Sequence, residues 1–262
     1  MINIKRLENE WELFIVSFLY LYKGLGGKDI MNIYKVRVPG NIEHDIMQKL
    51  IRLVSKEKQM KIQKYKRKPD QYSALIGDIL IRYLITTNFS KENKDIKYEY
   101  NEYGKPYVDE LNNFHFNISH SESWVVGAIH EEEVGIDVEK VRPIDTTMIK
   151  NIFTEEEFNY LNSLNVEQQL DVFYELWTIK ESFVKWIGKG LTIPLNSFVI
   201  NKNTIFYGDM LSNEVYYKKF TIGKDYKLSC CASLDSFPEL IIEIDFVDLC
   251  YYFIENKDFY LV

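Results

Sequence analysis

Glu181 and Lys185 lie four residues apart in the stretch 176–191, LWTIKESFVKWIGKGL, and Trp177 lies four residues before Glu181. If this stretch is helical, an aromatic ring, an acid and an ammonium share one face. The acid can accept a proton or ligate a metal, and the ammonium can hold an anion. The plainer reading is an i,i+4 surface ion pair next to a core tryptophan. Gly188 and Gly190 follow and supply a helix exit at little steric cost.

A second pair of acids, Asp137 and Glu139, sits in VGIDVEK at 134–140. In a strand these two share a face, while Ile136 and Val138 turn into a core. Neighbouring carboxylates repel, and both stay ionised more easily with a cation between them. An all-oxygen donor set suits Mg²⁺, which leaves its other positions to water and phosphate. Glu181 is the natural third carboxylate, although Asp137 and Glu139 alone would also suit an exposed strand face. His120 ends the alternating run FHFNIS at 114–119 and is read either as a site residue or as a hydrogen-bonded histidine at a strand end.

The elements that must position these groups follow from hydrophobic period. Alternation predicts strands over 32–38, 114–119, 124–130 and 134–141, then over 198–205, 215–221, 227–233 and 241–247. Apolar positions at helical spacing predict helices over 42–54 and 72–85 and a long one over 169–186. Thr154 and Glu157 have the spacing of a capping box, opening a helix over 154–164. Lys58, Lys61 and Lys64 align in the basic stretch 56–70, which is either a solvated face or a cradle for phosphates. Lys105 stands at the tip of a turn at Gly104. Glu131, Glu132 and Glu133 form an acidic turn that marks a boundary, giving an N-terminal half at 31–133 and a C-terminal half at 134–262.

The chain has 262 residues, 46% of them hydrophobic and 27% charged, which suits a soluble globular protein with a sizeable core. A net charge of −7 argues against nucleic acid or an anionic membrane as the main partner, while leaving room for a local basic site. Three cysteines without CxxC spacing fit a reducing, cytoplasmic compartment. The apolar run 14–22 is too short to span a bilayer. The glycines before Met31 could be the translation of a ribosome-binding sequence. Residues 1–30 are therefore read as an extension upstream of a natural start at Met31.

GIDVE at 135–139 followed by WTIKESFVKWIGKGL at 177–191 resembles the paired signature of the Sfp-type 4′-phosphopantetheinyl transferases. Gly77-Asp78, YGKP at 103–106, FNISH at 116–120 and FTEEEF at 153–158 extend the resemblance in the same order. The resemblance implies an α+β fold, a pseudo-dimer of two similar halves, each an antiparallel sheet plus a long helix, with coenzyme A between them. The implied reaction moves the phosphopantetheine arm of coenzyme A onto a serine of an apo carrier protein and releases 3′,5′-ADP. The carriers implied are peptidyl, acyl or aryl domains of peptide, polyketide or fatty-acid synthases, and the enzyme is expected as a cytoplasmic monomer.

By position, the resemblance assigns Asp137, Glu139 and Glu181 to Mg²⁺. It gives Lys58, Lys61, Lys105, Ser119, His120 and Lys185 to the nucleotide and its phosphates. Residues 148–164 and the segment after Gly188 are given to the carrier-facing side. Glu181, Lys185 and His120 are the expected catalytic groups. One departure concerns the arginine that the family often carries near the position of Ser73. YSALIG has none, so a phosphate contact is either missing or supplied by Lys66, Arg67 or Lys68. The competing readings are another Mg²⁺-dependent phosphotransferase and an inactive protein that binds coenzyme A or a carrier.

Overall fold

The computed structural model describes residues 31–144, 152–208 and 215–254. The extension at 1–30, with the expected start at Met31, lies outside them except for Met31 itself. So do part of the expected carrier-facing segment and residues 255–262.

Among the described residues, two main sheets each carry a 22-residue helix. The first is formed by β1 (Asn32–Arg37), β4 (His115–Ser121), β5 (Trp124–His130) and β11 (Ile242–Ile244), in the order β11-β1-β5-β4. The second has the order β6-β10-β9-β8-β7 and is antiparallel throughout. Its strands are β6 (Val134–Lys140), β7 (Phe198–Asn201), β8 (Thr204–Tyr207), β9 (Val215–Phe220) and β10 (Tyr226–Ala232). A small hairpin pairs β2 (Glu99–Tyr100) with β3 (Pro106–Tyr107).

The helices are α1 (His44–Ile51), α2 (Lys56–Lys64), α3 (Lys68–Phe89), α4 (Glu155–Ser163), α5 (Val166–Ile187) and α6 (Phe246–Ile254). Helix α3 covers the first sheet and α5 the second, which is the expected pseudo-dimer of α+β halves. Between the faces turned away from those helices runs one apolar layer. Ile33, Val126 and Ala128 of the first sheet meet Ile136, Val138, Leu228 and Cys230 of the second there. Ile136 and Val138 are fully buried, each stabilising the fold by about 1.5–3 kcal/mol, and their inward turn aims Asp137 and Glu139 at α5.

Helix ends agree with their sequence signals. Thr154 and Glu157 form both bonds of a capping box, and α5 is capped by Asn165, whose side chain accepts from Gln168 N. Helix α5 stops at Gly188 in the left-handed conformation, φ 70°, with its N–H returned to Val184 O. Glu157 also pairs with Lys180 at 2.9 Å. The fully buried Lys180 ammonium donates to Leu195 O and Phe198 O as well, tying α4 and the chain after α5 to that helix.

Three expectations change. The strand expected over 198–205 is a hairpin, because the polar run Asn201-Lys202-Asn203 reverses the chain with Lys202 at φ 45°. The strand expected over 241–247 is only Ile242–Ile244, and the following residues are helix α6. The stretch 246–254 carries apolar residues at helical spacing, with Leu249 and Phe253 buried. Finally, β11 does not join the C-terminal sheet. It pairs in parallel with β1, and Tyr252 of α6 stacks edge-on to Tyr83 and bonds Thr86. The last described residues of the expected C-terminal half thus pack on the first.

Candidate active site

The site lies where the two sheets meet edge to edge. Strand β4 is the last strand of one sheet and β6 the first of the other, and no backbone ladder joins them. Side chains of β4 bridge the seam instead. Asn117 Oδ1 accepts from Ile136 N at 3.0 Å, and Ser121 Oγ accepts from Lys140 N at 3.1 Å. On the other side, Gly135 lets β6 approach the backbone of α5. A Cβ there would sit 2.0 Å from Ser182 O and 2.3 Å from Trp186 N. Only glycine permits that approach, which sets how far Asp137 and Glu139 stand from Glu181 and Lys185.

A cleft of about 340 Å³ opens at this seam, lined by Ile118, Ser119, His120, Asp137, Glu139, Trp177, Glu181 and Lys185. Lys185 does not pair with Glu181 along its own helix. Its Nζ lies 2.6 Å from Asp137 Oδ1 and 2.9 Å from Ser119 Oγ. Ser119 in turn donates to Asp137 Oδ1 at 2.9 Å, and Asp137 Oδ2 is buried with no partner. Glu139 Oε2 accepts from Ser121 at 3.0 Å. Trp177 stacks on Phe173 with its ring plane 17° from parallel, an aromatic wall beside Glu181.

The electrostatics record crowded negative charge. Burial first, then repulsion from Asp137, raises the pKa of both Glu139 and Glu181. Burial in the cleft wall, followed by the charges of Lys185 and Lys58, lowers that of His120 and favours its neutral form, although the residue keeps an exposed edge. Among the described residues no three His, Cys, Asp or Glu side chains are drawn together tightly enough to enclose a metal ion. The residues nonetheless fit a divalent cation. Their donors are hard oxygens, one carboxylate oxygen is buried and unpartnered, and the acids are destabilised by one another.

Of the residues singled out in the sequence, the fold brings Ser119, His120, Asp137, Glu139, Glu181 and Lys185 to one cleft. Lys58 lies to the side, 3.8 Å from the buried Asp78, which Arg82 also holds at 2.6 Å. The Lys61 ammonium lies over the ring of Tyr100, 5.2 Å from its centroid. Lys105 pairs with Glu133 and donates to Val134 O and Trp186 O, a cation at the C-terminal end of α5. Near the departure from the family pattern, Ser73 is buried and Arg67 is engaged with Asp70 through two bonds. Sequence reasoning passed over Asn117, Ser121 and Gly135. Their signal was available as period two: Asn117, Ser119 and Ser121 alternate along one strand face, as do Gly135, Asp137 and Glu139 along another.

Residues 133–231 match the 4′-phosphopantetheinyl transferase superfamily, and residues 42–132 match the family described as 4′-phosphopantetheinyl transferase, N-terminal. The chain is 40% identical over 225 residues to 4′-phosphopantetheinyl transferase gsp of Aneurinibacillus migulanus, covering 84% of this chain and 94% of that one. It belongs to the 4′-phosphopantetheinyl transferase family. To 4′-phosphopantetheinyl transferase Sfp of Bacillus subtilis (strain 168) it is 34% identical over 226 residues, covering 84% of this chain and all of that protein. The mouse L-aminoadipate-semialdehyde dehydrogenase-phosphopantetheinyl transferase is 36% identical over 194 residues, 69% of this chain and 59% of the mouse protein. The protein is thus an Sfp-type phosphopantetheinyl transferase, and the seam cleft is lined by residues of both matched segments.

Proposed function

We propose that this phosphopantetheinyl transferase uses coenzyme A as donor and a serine of an apo carrier protein as acceptor, and releases 3′,5′-ADP. The serine oxygen forms a bond to the β-phosphorus as the bond from that phosphorus to the 3′,5′-ADP oxygen breaks. The observation that carries this reading is the convergence of Asp137, Glu139, Glu181, Lys185 and His120 in one cleft. Asp137, Glu139 and Glu181 would hold Mg²⁺, which neutralises charge on the pyrophosphate when bound.

Lys185 balances negative charge in the cleft and donates to the leaving phosphate. Glu181, made more basic by burial and by Asp137, accepts the serine proton through a water. His120, favoured in its neutral form, donates a hydrogen bond to a phosphate oxygen. Lys58, Lys61 and Lys105 are assigned to the nucleotide end, with the exposed Lys66 and Lys68 in place of the family arginine. The half-exposed ring of Tyr160 on α4 belongs to the face proposed for the carrier. The halves are taken as 31–133 and 134–262, the second crossing back to the first at β11. No helix among the described residues is long and apolar enough to cross a membrane. A cytoplasmic monomer acting on carriers of peptide, polyketide or fatty-acid synthases is the setting we propose.

The test is to incubate the protein with coenzyme A, Mg²⁺ and apo carrier domains and to weigh the carriers. A phosphopantetheine mass gain that is lost with EDTA is the expected result. No gain on peptidyl, acyl and aryl carriers would overturn the reading.

A further inference from the structure

We infer that Ser121 is a positioning residue for the carboxylate of Glu139, holding one oxygen so that the other is presented to a divalent cation. The inference rests on the cation reading proposed above and assigns a role to a residue outside the expected site.

The direction of the hydrogen bonds carries the argument. Ser121 Oγ already accepts from Lys140 N at 3.1 Å, so its own proton is free for Glu139 Oε2 at 3.0 Å. Ser121 is only 7% exposed, and its hydroxyl is fixed at both ends. Two residues back on β4 the pattern repeats. Ser119 Oγ accepts from Lys185 Nζ and donates to Asp137 Oδ1, leaving Asp137 Oδ2 buried and unpartnered. Each serine thus engages a single oxygen of the acid opposite it, and among the described residues no other side chain is bonded to Glu139.

Such an arrangement suits a site that needs one oxygen from each acid, with the rotamers set beforehand by the neighbouring sheet. It also opposes a cost. Burial and repulsion from Asp137 disfavour the charged form of Glu139, whereas the Ser121 proton favours it.

The test measures Mn²⁺ binding to the purified protein by electron paramagnetic resonance, with thermal melts alongside. Ser121→Ala is expected to weaken Mn²⁺ binding on the order of ten-fold. Ser121→Thr, which keeps the hydroxyl, is expected to stay near wild type. In a Glu139→Gln background Ser121→Ala should cost no further affinity, because the charged oxygen it positions is gone. Wild-type affinity in Ser121→Ala, or an equal additional loss in the Glu139→Gln background, would overturn the inference and leave the cation reading standing. A wild-type protein that binds no Mn²⁺ would overturn both. A melting temperature lowered equally in the Ala and Thr variants, with no difference in Mn²⁺ affinity, would reduce Ser121 to a seam contact.

Discussion

Single residues in the cleft carry opposed demands of function and stability. Glu181 is buried among negative charge, so its folded-state pKa lies above its unfolded value. The ionised acid therefore costs stability at neutral pH, and that cost disappears as pH falls through the raised pKa and below the ordinary carboxylate value. Glu181→Gln removes the group proposed above as proton acceptor and as one cation ligand. Carrier modification is expected to fall by about 10³-fold or more, as when a general base is lost. The melting temperature should stay the same or rise at neutral pH, and this advantage should vanish in acid; calorimetry across pH checks the sign. A variant that melts lower than wild type at neutral pH would contradict the electrostatic account.

At the scale of elements, the site depends on how closely β6 and α5 approach. The Cβ of Gly135→Ala would meet backbone atoms of Ser182 and Trp186, which cannot turn aside as a side-chain tip can. A destabilisation of about 3 kcal/mol or more is expected by analogy with overpacked cores, measured by urea unfolding. The folded fraction should also lose cation affinity, because pushing β6 from α5 separates Asp137 and Glu139 from Glu181. Lys105 teaches a related lesson. The resemblance gives it to the nucleotide and its phosphates, and here its ammonium is held by Glu133 and by carbonyls at the end of α5. Burial lowers its pKa despite the attraction of Glu133. Either role keeps the small hairpin docked on the helix, where Asn101 donates to Gly188 O at 2.9 Å.

Across the whole molecule, the C-terminal strand and helix strap the first half. Leu249 is 1% exposed in a helix that contributes no residue to the cleft lining. Leu249→Ala is expected to cost about 2–5 kcal/mol in unfolding free energy. The folded enzyme should retain its KM for coenzyme A. A changed KM with unaltered stability would show the strap to be part of the site.

Much of this protein was written locally. Alternation in GIDVE turned Asp137 and Glu139 to one face, helical spacing aligned Trp177, Glu181 and Lys185, and the Thr154–Glu157 spacing formed its capping box. These features depend on neighbours a few residues apart, so period and residue type determine them. Tertiary structure decided the rest. The α6 helix was concealed because its aromatic residues suit strand or helix alike, and the partner of β11 could not be read from a strand that short. Lys185 could have paired with Glu181 on its own helix, but it pairs with Asp137 across the seam. Ser121 and Gly135 are ordinary in sequence, and only the meeting of two sheet edges against one helix gives them a task. Contacts between residues far apart in the chain have no local period, and here they fix the geometry of the acids.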